Sequence, residues 1–386
     1  MAHCNTVLHQ MLHFVPRWEF DKLVKRHKGN HRVRRFPCWA LFVCHVYAQL
    51  ARQISLRDLE TTIRSKLRAM IHLGVSGFSR STMAEANERR PYQVFEELFY
   101  LMYERCQQRA PAHKFRLRHK LYTLDATTVD LCLSVFRWAK FRKTKGALKI
   151  HTLLDHQGHI PRCVIITDGK THEIKVARKL RLEADSILII DKAYIDYCWL
   201  YQIHLQQAWF VTRLKSNALY RVIRRLPVDR ASGITSDQII QITGTKADCI
   251  PIELRRVRFV NPEDGHTYEF LTNIMHLTAR QIADIYKERW QVELFFKWIK
   301  GHLKIKSFLG TSRNAVLIQI FIALCTYLLL AFLKFISTSP FDMYEIKKRM
   351  EVNLLERTSF WDLLKPPEDT KNSDLECQQL CFAVFH

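Results

Sequence analysis

The segment Ser186–Asp191, SILIID, is a short unbroken apolar run that ends in a carboxylate. A run of this length between polar flanks fits a strand buried on both faces, as a parallel sheet covered by helices requires. Upstream, Lys120–Asp125 (KLYTLD) repeats the signature of an apolar strand closing on an aspartate. Lys120–Asp125 and Thr128–Leu133 read as one hairpin-like pair. Leu148–Leu154 and Ile160–Thr167 read as another, with HQGH at 156–159 as the turn. A short helical pattern, THEIKVARKL at 171–180, then leads into SILIID.

Strand, strand, strand, helix, strand is the opening order of a ribonuclease H-like α/β fold. Residues from about 208 to 274 alternate again as strands (AWFVTRLK, ALYRVIRR, IPIELRRVRFV, HTYEFLTNI) and read as a β-rich insertion. Residues 1–110 read as helical. Ser55 and Asp58 form a capping pattern ahead of LRDLETTIRSKLRAMIHL, and Pro91 opens a further helix. Between them lies a stretch rich in Gly, Ser and Arg. That layout fits a helix-turn-helix DNA reader, with Arg80 and Ser81 near the second helix's start, where free N–H groups meet phosphates. A plain helical bundle fits as well. The expected organisation is a helical DNA-binding domain at 1–112, a ribonuclease H-like catalytic core at 118–338 interrupted by the β-rich insertion, and a C-terminal segment at 339–386.

Composition narrows the partner. The 386 residues carry a formal charge of +23, and 48% of them are hydrophobic, enough for ordinary cores. Disorder as the dominant state is excluded, and the charge favours a polyanion. Residues 1–120 hold 22 Lys or Arg against 9 Asp or Glu, and Asp21–Phe36 (DKLVKRHKGNHRVRRF) is the densest run. The eleven cysteines are dispersed without a CxxC pair, as in a reducing cytosol. The N-terminus shows no secretory apolar region. Ala315–Phe332 is uncharged and just long enough to span a bilayer. Its solitary occurrence and the amphipathic helix before it favour a helix buried in a large core.

The third acidic element is TARQIADIYKERWQVELFFKWIKGHL, Thr278–Leu303. Thr278 and Gln281 form a capping box, and the helix is expected from Ala279 to about Leu303. At 100° per residue Tyr286, Arg289, Glu293 and Lys300 share one narrow face beside the apolar stripe of Ile285, Val292, Phe295 and Ile299. An Arg-Glu pair at this spacing is also an ordinary surface feature. Set downstream of Asp125 and Asp191, however, it supplies three acids and three groups able to hold phosphate oxygens.

The spacing Tyr286-x2-Arg289-x3-Glu293-x6-Lys300 resembles the signature of the DDE transposases of bacterial insertion sequences, in the insertion sequence four group. LYTLDATTVDL around Asp125 resembles the first acidic motif, Phe136–His151 the basic strand after it, DKAY (Asp191–Tyr194) the second acidic motif, and FLTN (Phe270–Asn273) the approach to the third. The likeness covers roughly residues 118–330. Lys192 and Ala193 stand where the family more often has Arg and Gly, a departure expected to alter the turn and spare the ligand.

The resemblance implies that Asp125, Asp191 and Glu293 are catalytic and hold two Mg²⁺ ions about 4 Å apart, with Mn²⁺ as a substitute. It implies that Tyr286, Arg289 and Lys300 position DNA, on a track extended by Lys140, Arg142, Lys143, Lys145 and Lys149. His151 follows the same motif and reads more readily as structural. The implied activity is cut-and-paste transposition: binding the element's inverted-repeat ends, hydrolytic cleavage, and joining to target DNA without ATP. The implied assembly is a homodimer on DNA, in the cytoplasm and associated with the nucleoid. A ribonuclease H-like nuclease and a non-catalytic DNA-binding regulator are the competing readings.

Overall fold

One mixed sheet organises the chain. The computed structural model describes residues 5–115, 118–139, 146–263, 265–337 and 339–366. Seven helices come first: α1 (Val7–Leu12), α2 (Arg17–Arg26), α3 (Cys38–Leu50), α4 (Leu56–Ser65), α5 (Leu67–Ile71), α6 (Arg80–Arg89) and α7 (Gln93–Gln107). Ser55 caps α4 by accepting from Asp58 N–H, as its position before the first apolar turn requires.

The strands β1 (Lys120–Leu131), β2 (Gly146–Asp155) and β3 (Ile160–Asp168) follow as an antiparallel meander. After α8 (Glu173–Ala177), β4 (Ser186–Ile190) returns to lie parallel to β1. The expected break in the first pair does not occur: β1 runs straight through Asp125 to Leu131. Ala126, Thr127 and Thr128 offer no turn former, and β2 pairs along the whole length, Tyr122 opposite Asp155 and Leu131 opposite Gly146. The fully buried β4 is the two-faced strand its apolar run predicts.

Beyond α9 (Tyr197–Leu205), β5 (Trp209–Arg213) pairs parallel with β4. The strands β6 (Tyr220–Arg225), β7 (Ile234–Ile242), β8 (Leu254–Val260) and β9 (Thr267–Thr272) then fold back as a meander. The β-rich stretch is thus continuous with the main sheet. It adds to the edge through β9 against β5, giving the order β3-β2-β1-β4-β5-β9-β8-β7-β6. Cys198 on α9 and Cys249 between β7 and β8 face one another, Cα to Cα 4.6 Å. Cys38, Cys44, Cys106 and Cys325 are buried free thiols, as scattered cysteines on apolar segments should be.

The last described elements are α10 (Ala279–Lys287), α11 (Trp290–His302), α12 (Arg313–Ser337), α13 (Met343–Asn353) and α14 (Phe360–Leu364). Long and apolar enough to cross a membrane by length and composition, α12 lies almost wholly buried against α3, α7 and α13. One apolar cluster consequently runs from Val7 through Phe99 to Phe321 and Leu364. Gln319, the one strongly polar residue of the run, is fully used. Its oxygen accepts from Leu309 N–H at 2.8 Å, and its amide donates to the carbonyls of Lys304 and Ser307. That clasp fixes the connection leaving α11.

Gln319→Leu strands those backbone groups and is expected to cost about 2–4 kcal/mol, read as a lower urea midpoint with an unchanged slope. Acid should act through buried imidazoles. Burial holds His45 down at about 4 and His156 at about 3, while the unfolded chain protonates near 6.5. The unfolded state therefore binds more protons below pH 6.5, and stability falls with pH. Each residue is expected to cost roughly 2 kcal/mol at pH 5. A thermal midpoint that is the same at pH 7.5 and pH 5 would refute this.

Candidate active site

Strand register brings the first two acids together. The parallel pairing of β1 with β4 ends at Leu124 beside Ile190, so Asp125 and Asp191 are the next residues on two adjacent strands. Asp125 is not at a strand end, as the sequence suggested, but at the point where one neighbour stops and the other continues: Thr152 of β2 still pairs with it. There β4 turns away at Asp191 into the tight turn Lys192–Tyr194, while β1 runs on. Asp191 Oδ1 accepts from Ala193 N–H at 3.0 Å, so this side chain caps that turn while its other oxygen, Oδ2, meets the Arg213 guanidinium.

The third acid arrives on a kinked helix. The expected continuous helix from Ala279 to Leu303 is divided into α10 and α11, although the capping box of Thr278 and Gln281 forms as read. At Glu288 and Arg289 the hydrogen bonds tighten to a three-residue span, Glu288 to Ile285 and Arg289 to Tyr286. In such a turn residues three apart eclipse, so Tyr286 and Arg289 stay in line despite the kink. The tightened turn coincides with the buried Glu288, whose carboxylate is held by Lys114 Nζ at 2.6 Å and faces His156. No Gly or Pro marks it in the sequence.

Two arginines serve as counter-ions to the acids. The Arg289 guanidinium bonds Glu293 at 2.5 Å and lies 3.7 Å from Asp125 Oδ2, spanning both carboxylates. Arg213, the last residue of β5, bonds Asp191 at 2.9 Å. Burial pushes Asp125 up to about 6. The Ala126 N–H and Arg289 oppose that rise, while Glu173 and Glu293 add to it. Burial also raises Asp191, but Ala193 N–H, Arg213 and Arg289 outweigh it and hold the group below its ordinary value. Lys300 Nζ donates to Thr127 Oγ1 and Thr128 O, clipping α11 to β1 two residues past Asp125. Tyr286 is buried against Phe270, ring centroids 5.0 Å apart, with its hydroxyl unpaired.

Hard carboxylate oxygens are the donor set Mg²⁺ prefers. Asp125, raised by burial with only a shared guanidinium nearby, is an acid short of positive charge. The set fits a divalent ion chemically. Among the described residues, though, no three acids, imidazoles or thiols already stand as a ligand cluster, because Arg289 lies between Asp125 and Glu293.

The remaining expected residues divide. Lys149 is largely buried and engaged by Thr171 O and Glu173. His151 is buried opposite Ala126, bonded to Thr167 Oγ1 at 2.9 Å, and held neutral by burial at about 4, a structural imidazole. Lys140, Arg142, Lys143 and Lys145 lie outside the described residues. Arg80 and Ser81 open α6 on the surface. The Arg80 N–H there already donates to Glu60 and the Thr82 N–H to Ser79 Oγ. Sequence reading passed over Arg213 and Glu173. The strand-end rule that selected Asp125 and Asp191 would have selected Arg213, which closes the strand next to β4.

Residues 117–329 match the family described as transposase DDE domain, and residues 3–76 match a domain of unknown function. Transposase y4zB of Sinorhizobium fredii is 37% identical over 252 residues, 64% of this chain and 69% of the relative. A protein of Geobacillus stearothermophilus, named as a transposase for insertion sequence element IS5377, is 30% identical over 67% of this chain and 68% of its own length. One of Synechocystis, named for element IS4SA, is 24% identical over 88% and 96%.

Lys300→Met should loosen the clip on β1. The expected loss is about 1–3 kcal/mol for a charged donor with two partners, measured by urea unfolding, with Thr127→Val losing less.

Proposed function

The chain belongs to the transposase DDE domain family and is a DNA transposase, an enzyme of DNA cleavage and strand transfer, and from that premise we propose that Asp125, Asp191 and Glu293 are its catalytic acids. The observation that carries this reading is the register of β1 against β4, which sets two aspartates side by side, together with the guanidinium that ties the first to Glu293. The substrates are the inverted-repeat ends of its own element and a target duplex, joined by cut-and-paste. The spacing from Tyr286 to Lys300 supports the insertion sequence four group.

Domains of this family use divalent ions. Asp125, Asp191 and Glu293 would hold two Mg²⁺ ions, or Mn²⁺, whose chemistry is to activate water or a 3′-OH and to stabilise the leaving 3′ oxygen. The chain's own cations act before that. In the DNA-free protein Arg289 and Arg213 neutralise the acids. A phosphodiester entering the cleft competes for the same guanidiniums, and arginine forks hold phosphate in bidentate fashion. Arg289 drawn onto phosphate releases Glu293 and Asp125 together, so substrate binding and exposure of the carboxylates are coupled. Tyr286, locked on Phe270, keeps its buried hydroxyl beside Arg213 and Arg289 and reaches the phosphate only as those guanidiniums shift onto it. Lys300, clipped to β1, keeps Glu293 on the Asp125 side of the cleft. The exposed Trp290 and a cavity of about 260 Å³ lined by Phe259 and Tyr268 offer ring faces to an unpaired base. Two ends require two active sites, hence a homodimer on DNA, without ATP. The site of action is the cytoplasm, at the nucleoid.

The test is joining of a pre-cut end. Asp125→Asn, Asp191→Asn and Glu293→Gln are each expected to lower strand transfer by about 10³-fold, some 4 kcal/mol of transition-state stabilisation, with DNA binding kept. Wild-type protein that nicks but never joins would be a nuclease. Wild-type protein that binds DNA without metal-dependent cleavage would be a regulator.

A further inference from the structure

Outside the cleft, the strongest unexplained feature is a groove of about 490 Å³ between the loop that follows α2 and one face of α6. The loop contributes Lys28, Arg32, Arg34 and Arg35, and α6 with its cap contributes Arg89 and Arg90. The single acid on its walls, Glu85, already pairs with Arg89 at 2.7 Å.

What sets this loop apart is the crowding of its cations along one groove, with no acid left over to neutralise them. Several other arginines of the helical region have acidic partners: Arg17 with Asp21, Arg26 with Glu97, Arg64 with Glu60, Arg105 with Glu19. Among the described residues Lys28, Arg32, Arg34 and Arg35 have none, and all four are exposed. Mutually repelling side chains usually sit on mobile chain, but this backbone is braced. Asn30 Oδ1 accepts from Cys38 N–H, Arg90 donates to Phe36 O, Ser76 donates to Arg35 O, and the Phe36 ring packs on Phe78 at 4.8 Å. Lys28 and Arg32 are held left-handed, at φ 52° and 55°, a conformation costly for residues with a Cβ. At Lys28 that conformation ends α2, with Gly29 N–H bonded to Val24 O and Lys28 N–H to Lys25 O, so the helix terminus itself sets where the loop's first cation stands.

We propose that this groove grips the sugar-phosphate backbone of duplex DNA and positions the helical region on it without reading sequence. The inference rests on the transposase reading and adds the surface by which residues 28–36 and the Thr82, Glu85, Arg89 face of α6 take part. It also moves the phosphate contact from the start of α6, whose Arg80 and Thr82 N–H groups have internal partners, to the side of that helix. Each neutralised phosphate adds close to one unit to the dependence of log K on log salt.

The experiment uses the full chain and fluorescence anisotropy on two duplexes, one carrying the element end and one unrelated, between 50 and 300 mM salt. Arg32→Gln/Arg34→Gln/Arg35→Gln should flatten the salt slope by about 2–3 and weaken both duplexes alike, at least tenfold at low salt. The charge-keeping Arg32→Lys/Arg34→Lys/Arg35→Lys should restore the slope. Lys22→Gln/Lys25→Gln/Arg57→Gln, equal in charge and outside the groove, should leave it unchanged, and unfolding midpoints verify that every variant folds. An unchanged slope in the glutamine variant, with wild-type joining intact, overturns the groove and spares the transposase reading. Wild-type protein that neither binds nor joins DNA overturns both. Loss confined to phosphatidylserine vesicles, with DNA binding untouched, overturns the proposal in favour of a lipid surface.

Discussion

The site depends on where one strand stops. Because β4 pairs with β1 only as far as Ile190 beside Leu124, the chain delivers two aspartates from segments 66 residues apart onto neighbouring strands at the same height. A slip of one residue would turn Asp125 to the opposite face of the sheet. That register is secured by burial: Leu121, Tyr122, Leu124 and all of β4 lie inside, so moving the strand would expose them. The chemistry of the cleft is therefore guarded by the packing beneath it.

Three acids near one another repel, and the DNA-free fold answers with two guanidiniums. Their placement is economical in chain length. Arg213 closes the strand on the far side of β4, and Arg289 sits at the tightened turn that starts α11. Both are residues that phosphate can recruit. On the proposed function the same side chains that neutralise the acids would also meet the substrate, a double duty suited to arginine, whose planar fork serves a carboxylate and a phosphate equally well.

The apolar run ending at Asp191, the hairpin of β2 and β3, the capping box of Thr278 and Gln281 and the buried character of 315–332 are all legible in the sequence, because each rests on local periodicity and length. What was misread had a non-local cause. Asp125 looked like a strand end because apolar residues stop there, yet β2 pairs on and carries the strand to Leu131. The helix from Ala279 looked continuous because nothing in its composition breaks it, and the tightened turn coincides with a buried glutamate held by Lys114 from a distant segment. Arg213 went unseen since its meaning depends on which strand lies next to it. The β-rich stretch was recognised as strands, but its fusion to the main sheet through β9 is a matter of pairing that alternation does not encode.

Helix α12 has a further consequence for how the molecule is made. Its side chains seal α3 and α7, which leave the ribosome some two hundred residues earlier. At roughly 5–20 residues per second, those apolar flanks wait about 10–40 s for their cover. During synthesis the amino-terminal helices are therefore a half-built bundle with an open greasy seam, closed only once the whole sheet has been translated.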